Sequence, residues 1–141
     1  VLAAETLGAD LAYVGSPFLA STEANTQEGF RRMVVGGSAA DIVTTNCFTG
    51  VDANFLRPSL IQHGLDPDQL QRRAGGGINI DGGGDNAKAW KEIWSAGQGV
   101  GDVERVEPAA GVIDRMTHDY DAARAASQQR AARRFASVGS Q

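Results

Sequence analysis

Asp10-Leu11-Ala12-Tyr13-Val14-Gly15-Ser16-Pro17 decides how this chain is expected to fold. Leu11 to Val14 is an apolar run between Gly8 and Gly15, too short for a stable helix and bounded as buried parallel strands are. Ahead of it, Val1 to Leu7 is rich in helix formers and stops at Gly8, the residue type that best ends a helix in the left-handed conformation. No capping residue precedes Val1, so residues 1–7 are expected to be the C-terminal half of a helix. Helix, glycine turn and apolar strand follow one another as in an α/β protein. Beyond the strand, Ser16 as N-cap and Pro17 at the first helical position predict a short helix. Its free N–H groups, the Ser16 hydroxyl and the positive end of the helix dipole would seat an anionic group such as phosphate. A plain tight turn accounts for the same residues.

Working outward, a helix is expected from Ser21 or Thr22 to Gly36-Gly37, with Phe30, Met33 and Val34 facing inward. Ile42 to Phe48 is rich in β-branched residues and reads as a short strand or extended segment before a Thr49-Gly50 turn. Pro58 starts a helical turn that Gly64 closes, and His63 fits there as a cover for the helix end. Residues 75–86, with six glycines, lack the Gly-Lys-Ser/Thr of a nucleotide loop and the strand and helix of a dinucleotide site, so they read as a surface excursion. Asp85 or Asn86 then caps a helix carrying Trp90 and Trp94 on one face, as core or interface anchors.

Ser95 to Gly101 holds three glycines around Gln98. This backbone can approach a flat ligand closely, with Gln98 offering donors and an acceptor, or simply turn a corner. A last helix starts near Pro108 and carries an apolar stripe of Ala109, Val112, Ile113, Met116, Tyr120 and Ala123; His118, Asp119 and Asp121 lie mainly off it, as a solvated face does.

Composition narrows the function classes. The 141 residues suit one ordinary domain, and no apolar run approaches the ~20 residues of a membrane-spanning helix, so a cytoplasmic location with no membrane partner is expected. The single Cys47 excludes an internal disulfide framework and a thiolate zinc cluster, and no metal site is expected. A net charge of −4 argues against nucleic acid as a partner. The arginines Arg124, Arg130, Arg133 and Arg134, with no acid among residues 122–141, read as a solvated helix end.

One isolated strand can neither satisfy its backbone nor bury both faces. The chain is therefore expected to be the C-terminal fragment of a larger α/β protein, a TIM (β/α)8 barrel with a mainly helical insertion. Residues 1–27 would end a barrel helix and supply the last strand and phosphate loop, 28–86 the insertion or lid, and 87–141 the glycine-rich loop and closing helices.

Leu7 to Phe18 followed by Ala20-Ser21-Thr22-Glu23-Ala24, then Phe48-Thr49-Gly50, Asn54-Phe55-Leu56-Arg57-Pro58 and Trp94 to Gly101, resembles the nitronate monooxygenase family, formerly 2-nitropropane dioxygenases. The first block is also similar to inosine monophosphate dehydrogenase, whose Lys-Tyr-Arg-Gly-Met-Gly block is absent here. The resemblance implies an FMN-dependent flavoprotein that oxidises alkyl nitronates with O2. A homo-oligomer is a possible partner, although the sequence itself does not reveal the oligomeric state. By matching position the resemblance assigns Val14, Gly15 and Ser16 to the FMN phosphate and Gln98 to the flavin or substrate mouth. Ser16 stands where many relatives have Thr, and Pro17 replaces a more usual Arg, removing a donor and a charge. The family's catalytic histidine belongs to upstream strands; neither His63 nor His118 matches it, so no catalytic residue is expected in this chain.

Two other readings stand beside it. An FMN-dependent enoyl reductase of the same fold shares the phosphate loop and the Ala-Gly-Gln block. Alternatively the piece is a non-catalytic packing or dimerisation element, for which exposed Trp90 and Trp94 would speak.

Overall fold

A computed structural model describes residues 1–48, 50–72, 74 and 92–138, with side chains as far as Arg134. The expected glycine-rich excursion at 75–86, the Asp85 or Asn86 cap and Trp90 lie outside the described residues. The chain forms two compact units, Val1–Val14 with Glu107–Gln141, and Gly15–Val106.

In the first unit, α1 (Leu2–Thr6) ends as the sequence predicts, with Gly8 at φ +94°. Its counterpart α5 (Ala109–Val138) starts directly after Pro108. The expected stripe on α5 is narrower than read: Val112 is buried and Met116 and Tyr120 are half-buried, one turn apart, while Ile113 and Ala123 are exposed. The Tyr120 hydroxyl donates to Glu5 Oε2 at 2.6 Å, tying α1 to α5. That hydrogen bond, joined by desolvation, holds the phenol above the ordinary tyrosine range. A raised folded-state value makes this tie fully present below the ordinary range and lost as pH rises through the folded one. Glu5→Gln should lower the pH at which Tyr120 ionises, read from its ring carbon resonances.

The expected strand over residues 10–15 is not formed. Residues 11–15 have no regular structure, with Leu11 90% and Tyr13 102% exposed. An apolar strand needs hydrogen-bonding neighbours at its edges and cover on both faces, and no described residue pairs with this segment as a strand. Regular pairing is found instead in an antiparallel hairpin of the second unit.

That hairpin joins β1 (Ile42–Thr45) to β2 (Ala53–Leu56), in the register Ile42↔Leu56 to Thr45↔Ala53. Thr44 Oγ1 donates across it to Asn54 Oδ1 at 2.6 Å. The two-residue side-chain period sends Phe55 and Leu56 to opposite faces, and each enters a different core. Leu56 joins Ala20, Val34, Trp94, Ala96, Val100 and Val103. Phe55 joins Leu60 and Ile93, with Phe48 edge-on at 5.0 Å.

Around the hairpin stand three helices: α2 (Ser16–Leu19), α3 (Glu28–Val35) and α4 (Arg57–Gln62). Helix α3 ends at Gly36, as expected, but begins at Glu28 rather than Ser21 or Thr22. The intervening hydroxyls explain the delay: Ser21 Oγ and Thr26 Oγ1 donate back to the carbonyls of Phe18 and Leu19, closing α2 instead of capping a new helix. Val34 is buried and Phe30 and Met33 pack beside it, the face read from sequence. Helix α4 carries Pro58 in its first turn, and Gly64 at φ +73° follows its end. His63 sits at that end, with Nδ1 2.8 Å from the Ser59 carbonyl oxygen. No described helix is long and apolar enough to cross a membrane.

Candidate functional site

The residues singled out in the sequence reach the structure by different routes. Helix α2 is a single turn whose N-cap is Gly15, so Ser16 is its first residue rather than its cap, one position later than read. Pro17 has no N–H, and the N–H of Phe18 donates to the Gly15 carbonyl at 3.0 Å. Few donors of this turn are thus left to face an anion, and four residues sum to a small dipole.

The Ser16 side chain instead turns toward a segment 81 residues away. Buried to 8% exposure, its Oγ accepts the Gly97 N–H at 2.8 Å. A hydroxyl that accepts through a lone pair keeps its own proton for a second partner. The approach is close: a Cβ at position 97 would stand 3.2 Å from Ser16 Oγ, so a side chain there would push the hydroxyl back by a few tenths of an ångström. Gly97 then caps a 3₁₀ turn over Gln98–Asp102, closed by Val100 N–H to the Gly97 carbonyl at 3.0 Å, and it leaves Gln98 exposed. Gly15 is exposed, and a Cβ there would meet nothing within 4 Å, so no neighbour among the described residues requires glycine at that position. Val14 is half-buried and belongs to the first unit, as the last residue of its N-terminal segment.

What fixes the loop is a set of bonds that no motif announced. The Trp94 N–H donates to Ser59 Oγ at 2.9 Å, and the Trp94 carbonyl accepts the Leu56 N–H at 2.9 Å. The indole stacks on Phe30, centroids 5.2 Å apart and planes 12° from parallel, and its tip lies over Gly29, where a Cβ would come within 2.9 Å. Trp94 is therefore buried in the core beside α3, which removes one of the two exposed indoles that a docking role called for. A cavity of about 310 Å³ borders it, lined by Leu19, Thr26, Phe30, Ile93 and Ser95 among others; neither Ser16 nor Gln98 lines it. Among the described residues no group of three His, Cys, Asp or Glu side chains could hold a metal ion.

No family model matches the sequence, and no curated protein does. Among solved structures, FabK from Thermotoga maritima, determined as a point mutant, superposes on 90% of the chain with a TM-score of 0.60 at 19% identity. The fold is FabK-like. The chain spans about 39% of the length of that protein.

Proposed function

We propose that this chain is part of a TIM-barrel, FMN-dependent oxidoreductase of the nitronate monooxygenase-like superfamily and supplies part of the FMN phosphate site. The observation that carries the reading is the Gly97 N–H to Ser16 Oγ bond. It joins the two sequence blocks that the resemblance assigns to the cofactor, which are far apart in the chain. FabK, a 2-nitropropane dioxygenase-like enoyl reductase, lends the scaffold by its fold.

The residues present fit a share of such a site and no more. Ser16 retains a hydroxyl proton for a phosphate oxygen, and exposed Gln98 offers two donors and an acceptor beside it. Pro17 withholds an amide, and no Lys or Arg occurs in residues 14–18 or 95–101, so the neutralising charge has to come from elsewhere. FMN, when bound, would supply the electron transfer between organic substrate and oxidant, while these residues bind and orient it. The substrate in this reading is an alkyl nitronate oxidised with O2. The FabK likeness favours a second reading, reduction of an enoyl substrate on the same scaffold.

Titrating the purified chain with FMN should give no stoichiometric yellow complex; if one forms, the site is complete without further elements and the partial-site reading fails. A chimera in which this chain replaces the matched portion of FabK should retain FMN. There Ser16→Ala should weaken binding roughly tenfold, as expected for one hydrogen bond to a charged group. A folded chimera without flavin would overturn the proposal. Nitronate oxidation against enoyl reduction by the loaded chimera separates the two substrates.

A further inference from the structure

We infer that Ser59, on α4, is a positioning residue for the Ser16–Gln98 site, which it never touches. The inference rests on the reading of that site given above, and its structural content stands on three hydrogen bonds. Ser59 is fully buried, and its Oγ takes the Trp94 N–H. The Trp94 carbonyl in turn accepts the Leu56 N–H, at the end of β2. Three residues on, the Gly97 N–H reaches Ser16 Oγ. Segment 94–97 is thus held at each end by a serine hydroxyl, one from α4 and one from α2.

The spacing leaves little slack. Three residues of chain connect the Trp94 and Gly97 amides, and the side chains of Trp94 and Ala96 are both buried in one core. Gly97 is also the one residue of the segment without a side chain to anchor it, so its amide direction depends on where Trp94 and Ala96 are held. A buried N–H that loses its acceptor costs the desolvation of that group unless the backbone moves to find another partner. Movement at Trp94 carries to Gly97, and Gly97 sets the Ser16 hydroxyl direction and the start of the turn that presents Gln98. The hairpin and α4 therefore set the geometry of the site from a distance, a task for the 42–62 region beyond covering it.

Amide hydrogen exchange of the 141-residue chain, followed by NMR, tests this without any flavin. In Ser59→Ala the Trp94 and Gly97 amides should both exchange roughly fivefold faster, with a shifted Gly97 amide resonance, while α3 amides keep their protection. In Ser16→Ala the Gly97 amide should be released with no change at Ser59. Ser59→Cys, which fills a similar space with a weak acceptor, should give an intermediate Gly97 shift; it decides the matter if Ser59→Ala unfolds and α3 protection is lost with the rest. Faster exchange at Trp94 with Gly97 unchanged, in a folded variant, would overturn the inference. Failure of the flavin reading would leave this coupling intact, and failure of the coupling would leave the FMN titrations unaffected.

Discussion

Trp94→Ala is expected to destabilise the Gly15–Val106 unit by about 3–5 kcal/mol, the usual cost of truncating a large buried aromatic. Three losses combine in it. The indole leaves the core it shares with Ala20, Val34 and Leu56, its stack on Phe30 disappears, and the space over Gly29 is left open. Because domains are stable by only about 5–15 kcal/mol, the variant should unfold at a markedly lower urea concentration. It should also loosen the Gly97 amide before the global transition, since the neighbouring backbone bonds to Ser59 and Leu56 lose the side chain that keeps them dry. A midpoint within error of the parent would show that the stacked pair is peripheral to this unit.

Phe55→Ala carries a similar expected cost, about 3–5 kcal/mol, through the other core. Phe55 is 2% exposed, meets Phe48 edge-on and packs with Leu60 and Ile93. Adjacent Leu56 points into the Trp94 core, so the β2 backbone joins the two cores directly. The double variant Phe55→Ala/Trp94→Ala should therefore depart from additivity, since the two side chains act on one shared strand and loop. Strict additivity in denaturant midpoints would mean that the two cores unfold without reference to each other.

Local signals in the sequence were legible where a single residue type settles the backbone. Gly8 follows α1 at positive φ, Pro58 opens α4 and Pro108 precedes α5, each because a missing Cβ or a missing N–H allows few alternatives. The inward face of α3 followed from its helical period in the same way. The strand read at 10–15 was not legible in that sense: its residues have the composition of a strand, but a strand exists only when another supplies its hydrogen bonds. Ala53–Leu56 was the converse, a segment of modest β character that becomes a strand because Ile42–Thr45 lies against it.

The candidate site divides along the same line. Composition and spacing determined by themselves that a glycine-bounded serine at 15–16 and a supple loop around Gln98 exist, because those properties belong to residues one at a time. Only the tertiary structure decided that the two meet, that Ser16 spends its lone pair on Gly97 instead of capping its own helix, and that Ser59 holds the loop in place. A hydrogen bond between groups 35 or 81 residues apart leaves no periodicity in the chain; it forms when packing of the surrounding apolar side chains brings donor and acceptor within reach.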